Sequence, residues 1–364
     1  MKTKSLLINI STICISFIAI LILVEVILQL MKLEIPYQFM PQKIVNRHFS
    51  YSDHSEFTLR KNYKGPFIMS AASFESSVQT NSRGWRDDEP DDRLKVLVLG
   101  DSFVFGFGVN RGETIPDRLE AYAQGVDFVN LGFAAGRSPD SYATFLRYHT
   151  ELQNLPIILI VYSNDLNDMQ CNVCLGKNRE TVPLSSPNCL TTYNKDMIIR
   201  KGMKFEKRGI VQEYTPLFLI GLLKRSYLVG LLKCGLSAFK KGYIHREIKA
   251  QRKAEDQIND REFDKFTISF KILKNLASDI IVVTLASKNA PTIIPFYQRI
   301  KSLLMEYKVD VIHIPSFDNS FYWKRDAHYN PRGTQAATEL IVSSEEFQNF
   351  LVRLPQHKTL GFEK

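Results

Sequence analysis

The run Lys95-Val96-Leu97-Val98-Leu99 stops abruptly at Gly100-Asp101-Ser102 and continues as the helix-like Phe103-Val104-Phe105-Gly106. A short apolar, β-branched-rich run ending at glycine is the pattern of a strand buried on both faces, and strands of that kind belong to parallel sheets. In such sheets ligands bind at the carboxyl ends of the strands. A serine delivered there is a candidate nucleophile. Gly-Asp-Ser is a short and common tripeptide, so its meaning depends on whether the rest of the chain supplies a base, an acid and oxyanion donors on the same edge.

The same rhythm recurs downstream. Leu94–Leu99, Val126–Leu131, Pro156–Tyr162, Ile280–Leu285 and Val309–Ile314 read as five strands. A helix over Ile115–Gln124 opens with Thr114 as N-cap and Pro116 in its first turn, and a second opens at Ser138-Pro139 and runs to about Leu152. Thr334–Leu351 reads as a closing helix. Strands alternating with helices imply an α/β fold with a mostly parallel five-stranded sheet covered on both faces.

The chain of 364 residues carries an apolar stretch before this domain, Leu6–Met31. Helical, it exceeds the ~30 Å hydrocarbon core of a bilayer. Lys2 and Lys4 precede it, which favours a cytoplasmic N-terminus and an exported remainder. A cleaved signal peptide is the rival reading, but the run ends Val24-Glu25-Val26-Ile27-Leu28-Gln29-Leu30-Met31 without a small-residue cleavage site. The expected organisation is a cytoplasmic tail (1–5), a transmembrane signal anchor (6–31), a lead-in (32–91) and the α/β domain (92–352). Glu25 is costly at mid-bilayer, so it belongs near the far interface or against a partner helix.

The block at about 165–265 interrupts the α/β rhythm. Between Arg200 and Lys253 it has 14 Lys/Arg against 3 Asp/Glu, whereas the whole chain is only +9. It reads either as a cap facing anionic lipid or glycan, or as a solvated helical face. Pro216–Leu232, interrupted by Lys224 and Arg225, is too short for a second span and reads as an amphipathic helix. Cys171, Cys174, Cys189 and Cys234 allow three pairings or free thiols; their spacing is poor for zinc, and no metal or cofactor is expected. An exported domain without a recognised nucleic-acid motif argues against a nucleic-acid partner.

Chemistry concentrates in three further places. Asp326-Ala327-His328 lies in a Pro/Gly-bounded loop ahead of the closing helix, where Asp326 can orient the imidazole and His328 can deprotonate a serine. The other six histidines, among them His149 and His313, lack that context. The third strand ends in Tyr162-Ser163-Asn164-Asp165, where the Asn164 amide can donate to an oxyanion; an ordinary Asn-Asp turn is the alternative. The second strand runs into Gly132-Phe133-Ala134-Ala135-Gly136, whose glycines allow a backbone N–H to approach the same point.

With Ser102, the glycine loop, Asn164 and Asp326/His328 ordered along one sheet edge, the chain resembles the SGNH/GDSL hydrolase superfamily over roughly residues 80–345. It is most similar to membrane-anchored bacterial members, through Gly100–Val109 and the upstream Asn81-Ser82-Arg83-Gly84-Trp85-Arg86-Asp87. The resemblance implies a flavodoxin-like three-layer α/β/α fold and a serine-dependent acyl-ester hydrolase in the bacterial inner membrane, with its catalytic domain on the periplasmic side. Ser102 would be the nucleophile, His328 the base and Asp326 its orienter. Ser102 N–H, Gly136 N–H and Asn164 would form the oxyanion hole. The chain departs from the family pattern at Arg325, where the acid often stands, and at Tyr162, where a glycine is usual; Gly132 competes with Gly136. The expected substrate is acylated envelope carbohydrate, deacylated or used in O-acyl transfer, the latter requiring a membrane partner that delivers the acyl donor. The alternatives are a lipid or small-ester esterase and a non-catalytic acyl-glycan binding protein.

Overall fold

In a computed structural model of the chain, the structure describes residues 2–30, 49–52, 55–67, 76–133, 137–162, 165, 169, 172–176, 181–189, 191–194, 228, 232, 260–286, 288, 295–323 and 327–355. They fall in two compact units. The first contains helix α1 (Lys2–Leu30), in which Ser11–Leu28 has a mean hydropathy of 2.7 and no buried residue. Among the described residues it is the one helix long and apolar enough to cross a membrane. Within this unit the Leu228 N–H donates to Glu25 Oε2 at 3.0 Å, so the one carboxylate of the apolar stretch has a backbone partner.

The second unit begins with strands β1 (Phe49–Ser52), β2 (Ser55–Leu59), β3 (Lys64–Phe67) and β4 (Ser76–Gln79), which pair antiparallel as β1–β2 and β3–β4. The sequence shows no sustained period here, and these strands of four or five residues are too short to display one. The described part of the lead-in thus belongs to the same unit as the main sheet, and is no separate appendage.

There follow β5 (Leu94–Leu99), the single turn α2 (Ser102–Phe105), α3 (Ile115–Tyr122), β6 (Val126–Asn130), α4 (Pro139–Tyr148) and β7 (Ile157–Tyr162). A small antiparallel sheet comes next: β8 (Asn172–Leu175), β9 (Thr181–Val182) and β10 (Thr191–Asn194). The chain ends with α5 (Asp260–Leu276), β11 (Ile280–Leu285), α6 (Pro295–Glu306), β12 (Val311–Ile314), α7 (Pro331–Ser343) and α8 (Glu345–Arg353).

The main sheet is five-stranded and entirely parallel, ordered β6–β5–β7–β11–β12. Its strands read as continuous apolar runs because both faces are covered. Val96, Val98, Ile158, Ile160, Ile281 and Val283 pack with residues of α3, α7 and α8. Leu97, Leu99, Leu159, Val161 and Val282 pack with residues of α4, α5 and α6. Successive side chains of one strand therefore enter different cores.

The helix starts follow local chemistry with two departures. Thr114 and Asp117 form the reciprocal capping box at α3. Ser138 stands at the N-cap of α4, but its hydroxyl donates to Asp140 Oδ1 (2.6 Å) and makes no cap bond, leaving Pro139 to set the start. The expected closing helix is two helices. Ser344 leaves the helical conformation, at φ −76° and ψ 143°, and accepts the Phe347 N–H to start α8.

Cys174 is bonded to Cys189, with Cα atoms 5.6 Å apart. Cys171 and Cys234 lie outside the described residues, as do all but Leu228 and Leu232 of the basic stretch 200–253 and of the apolar patch 216–232 within it.

Candidate active site

β5 ends deep in the molecule and the chain must turn at once. A Cβ on Gly100 would collide with Val104 and crowd Ile160 O, so only glycine fits between β5 and the turn that follows. Asp101 caps α2, its Oδ1 accepting the Phe103 N–H at 3.0 Å. Ser102 is thereby placed at the first position of the turn, where its own N–H has no intrahelical acceptor. The turn closes at Gly106, which has φ +82° and sends its N–H to Ser102 O.

The turn is braced from beneath by Arg86, which is wholly buried. Its Nη1 donates to Phe105 O and Gly106 O, both at 2.6 Å, and its Nη2 to Val109 O at 2.6 Å. Burial pulls this guanidinium down to about 10, which still leaves it charged at neutral pH. Its neighbour Asp87 ties the turn to the adjacent strand. Asp87 Oδ2 accepts the Asn130 N–H at 2.7 Å, and Oδ1 accepts Arg111 Nη1 at 3.0 Å. Burial pushes this carboxyl up to about 7, against the opposing pull of Arg111 and the Asn130 N–H.

The motif around these residues is a shaped loop. Asn81 Oδ1 accepts the N–H groups of Arg83 and Trp85, Asn81 Nδ2 donates to Asp88 O, and Gly84 adopts φ +86°. Sequence reasoning singled out Asn81–Asp87 only as a point of resemblance. Its physical work is to aim Arg86 inward under the serine turn.

His328 reaches the same turn from the other end of the domain. Its Nε2 lies 2.7 Å from Ser102 Oγ, although 226 positions separate the two residues. The imidazole packs against the rings of Phe107 and Phe103, with centroids at 4.3 and 5.2 Å. The loop bearing it is pinned on both sides: Trp323 N–H donates to His328 O, and Asn330 caps α7 while its Nδ2 donates to Ser320 O and Tyr322 O. Tyr329, buried next door, meets Phe103 edge-on at 4.9 Å. Phe103 and Phe107 are site residues that sequence reasoning missed; their place beside Ser102 in the turn was the available signal.

Of the predicted site residues, Ser102 and His328 are thus brought together. Asp326, Gly136 and Asn164 lie outside the described residues. Gly132 is described, and its N–H is already donated to Asn130 Oδ1 at 3.0 Å. A Cβ there would fall on the backbone of Val104 and Phe105. Gly132 packs β6 closely against the serine turn. Asp165 Oδ2 accepts the Tyr162 N–H at 2.9 Å at the end of β7.

A serine hydroxyl in a short hydrogen bond to an imidazole, half-shielded by aromatic rings, is an arrangement that can generate an alkoxide nucleophile. No protein-family model matches this chain, and no curated protein matches it.

Proposed function

We propose that the protein is a serine-dependent acyl-ester hydrolase, anchored by α1 in the bacterial inner membrane with its α/β unit on the periplasmic side. The observation that carries this reading is the 2.7 Å contact between His328 Nε2 and Ser102 Oγ. Numbered along the chain, the five parallel strands lie in the order 2-1-3-4-5. That order supports a flavodoxin-like three-layer fold of the SGNH/GDSL kind, with Ser102 at the carboxyl end of a strand beside the switch point.

In the proposed reaction His328 Nε2 takes the Ser102 proton as Oγ bonds to the ester carbonyl carbon. The carbonyl electron pair moves onto oxygen, which the Ser102 N–H, the Gly136 N–H and the Asn164 side chain would stabilise. Collapse expels the alcohol, which takes the proton back from His328, and leaves the acyl group on Ser102. Water, or a sugar hydroxyl, then attacks the acyl carbon with His328 again as base, the bond to Ser102 Oγ breaks, and His328 returns the proton to Oγ. Asp326 would hold the imidazole in the required tautomer. The substrate is acylated envelope carbohydrate, which an anchored extracytoplasmic enzyme meets at the membrane surface. Transfer to a sugar acceptor would require a second membrane protein that supplies the acyl donor.

A fluorophosphonate probe on the detergent-solubilised full chain tests the assignment. Labelling of the wild type that disappears in Ser102→Ala is the expected result. A folded wild type that takes no label would overturn the hydrolase and favour an acyl-glycan binding protein.

A further inference from the structure

Beside the exit of β6 lies a cavity of about 210 Å³ whose role the acyl chemistry leaves unexplained. It adjoins the serine turn. Gly132, in its wall, packs on the backbone of Val104 and Phe105, and the next wall residue, Phe133, donates its N–H to Gly100 O at 3.3 Å. The cavity is below the ~300–1,000 Å³ that drug-sized ligands occupy, which suits a single ring.

Its lining combines two chemistries. Tyr148 offers an exposed aromatic ring and Trp85 and Phe133 are largely buried in the wall, while Lys61, Arg83 and Arg137 bring positive charge. The guanidiniums are held by the rings, Arg137 at 4.3 Å from the Phe133 centroid and Arg83 at 5.0 Å from that of Trp85. Among the described residues no carboxylate lines the cavity; Glu151, outside it, touches Arg83 at 3.8 Å and His149 at 3.0 Å.

Asn130 also borders the cavity but is only 1% exposed, and its Oδ1 accepts the Gly132 N–H, so it shapes the wall by packing.

We propose that this cavity is the subsite for a carboxylate-bearing sugar ring of the acylated carbohydrate on which Ser102 acts. The ring stacks on Tyr148. Its carboxylate is taken by Arg83, Arg137 and Lys61, with the planar forks of the arginines matched to the two carboxylate oxygens. The identification of this ligand as the acyl-bearing substrate rests on the acyl-transfer reading of Ser102; binding itself does not.

Calorimetric titration of the full chain in detergent, with tetragalacturonate against neutral maltotetraose, tests the subsite. Tetragalacturonate should bind saturably and at least about tenfold more tightly, and higher salt should weaken it. Arg137→Ala and the exposed Lys61→Ala should each weaken it several-fold, Lys61→Ala serving if the first variant does not fold. Equal affinity for the two oligosaccharides, unchanged affinity in a folded Lys61→Ala or Arg137→Ala protein, or tighter binding of glucose 6-phosphate than of the uronate would overturn the proposal. A wild type that labels at Ser102 but binds no uronate loses the subsite alone. One that binds uronate but takes no label loses the acyl-transfer reading alone.

Discussion

Arg86 lies beneath the turn that presents Ser102, and its Nη1 donates to Phe105 O at 2.6 Å from a wholly buried position. Four backbone carbonyls, those of Ser77, Phe105, Gly106 and Val109, depend on this one guanidinium. Arg86→Met should therefore leave buried acceptors without donors and lower stability by about 3 kcal/mol, read as a fall in the thermal midpoint. Arg86→Lys should recover part of that loss, because an ammonium keeps the charge but lacks the planar fork. A Met variant as stable as wild type would show that the turn holds itself.

In the proposed reaction, proton transfer from Ser102 runs through His328. Replacement of His328 by Ala should slow hydrolysis of a small acetyl ester about 10²–10⁴-fold with little change in melting temperature, since the ring is half-exposed. Turnover at the wild-type rate would remove the imidazole from the mechanism.

Gly132 faces backbone, and backbone cannot step aside as a flexible side chain can. Gly132→Ala should cost about 1–3 kcal/mol through overpacking and should also lower ester turnover, because β6 and the serine turn must separate to admit the methyl group. Crystallography or hydrogen exchange at 102–107 would locate the displacement. Full activity and stability in this variant would contradict the close packing.

The Asp87 carboxyl gives the stability of the fold a pH signature. Its folded value, about 7, lies above the ordinary carboxylate value of about 4 because of burial. Below the ordinary value the group is protonated in both states and favours the fold fully. As pH rises towards 7 the unfolded chain ionises first, so the contribution is lost. Relative to Asp87→Asn, which cannot ionise, the wild type should lose on the order of 4 kcal/mol between about pH 4 and 7, then level off. Thermal midpoints of both proteins across that range measure it. A difference that grows with pH would mean that the Arg111 pair outweighs burial.

Much of the sheet was legible because its signals are local. Leu94–Leu99 and Ile280–Leu285 form strands with the limits that their apolar runs suggest, and Thr114 caps α3 where the spacing to Asp117 places a capping box. Elements lacking such signals were not legible. β1 to β4 are short and aperiodic, and the break at Ser344 interrupts a run whose apolar spacing continues through it. The Cys174–Cys189 bond is one of several pairings that the spacing allowed.

The sequence by itself determined the apolar N-terminal helix, the parallel α/β sheet and the placement of Ser102 at the end of its first strand. Backbone preference, side-chain periodicity and glycine placement act over a few residues and can be read in order. Only the tertiary structure decided that His328 meets Ser102 and that Arg86 is buried beneath it. Those relationships depend on which strands lie side by side and how loops from distant parts of the chain pack across them, and no local pattern encodes a contact across 226 positions.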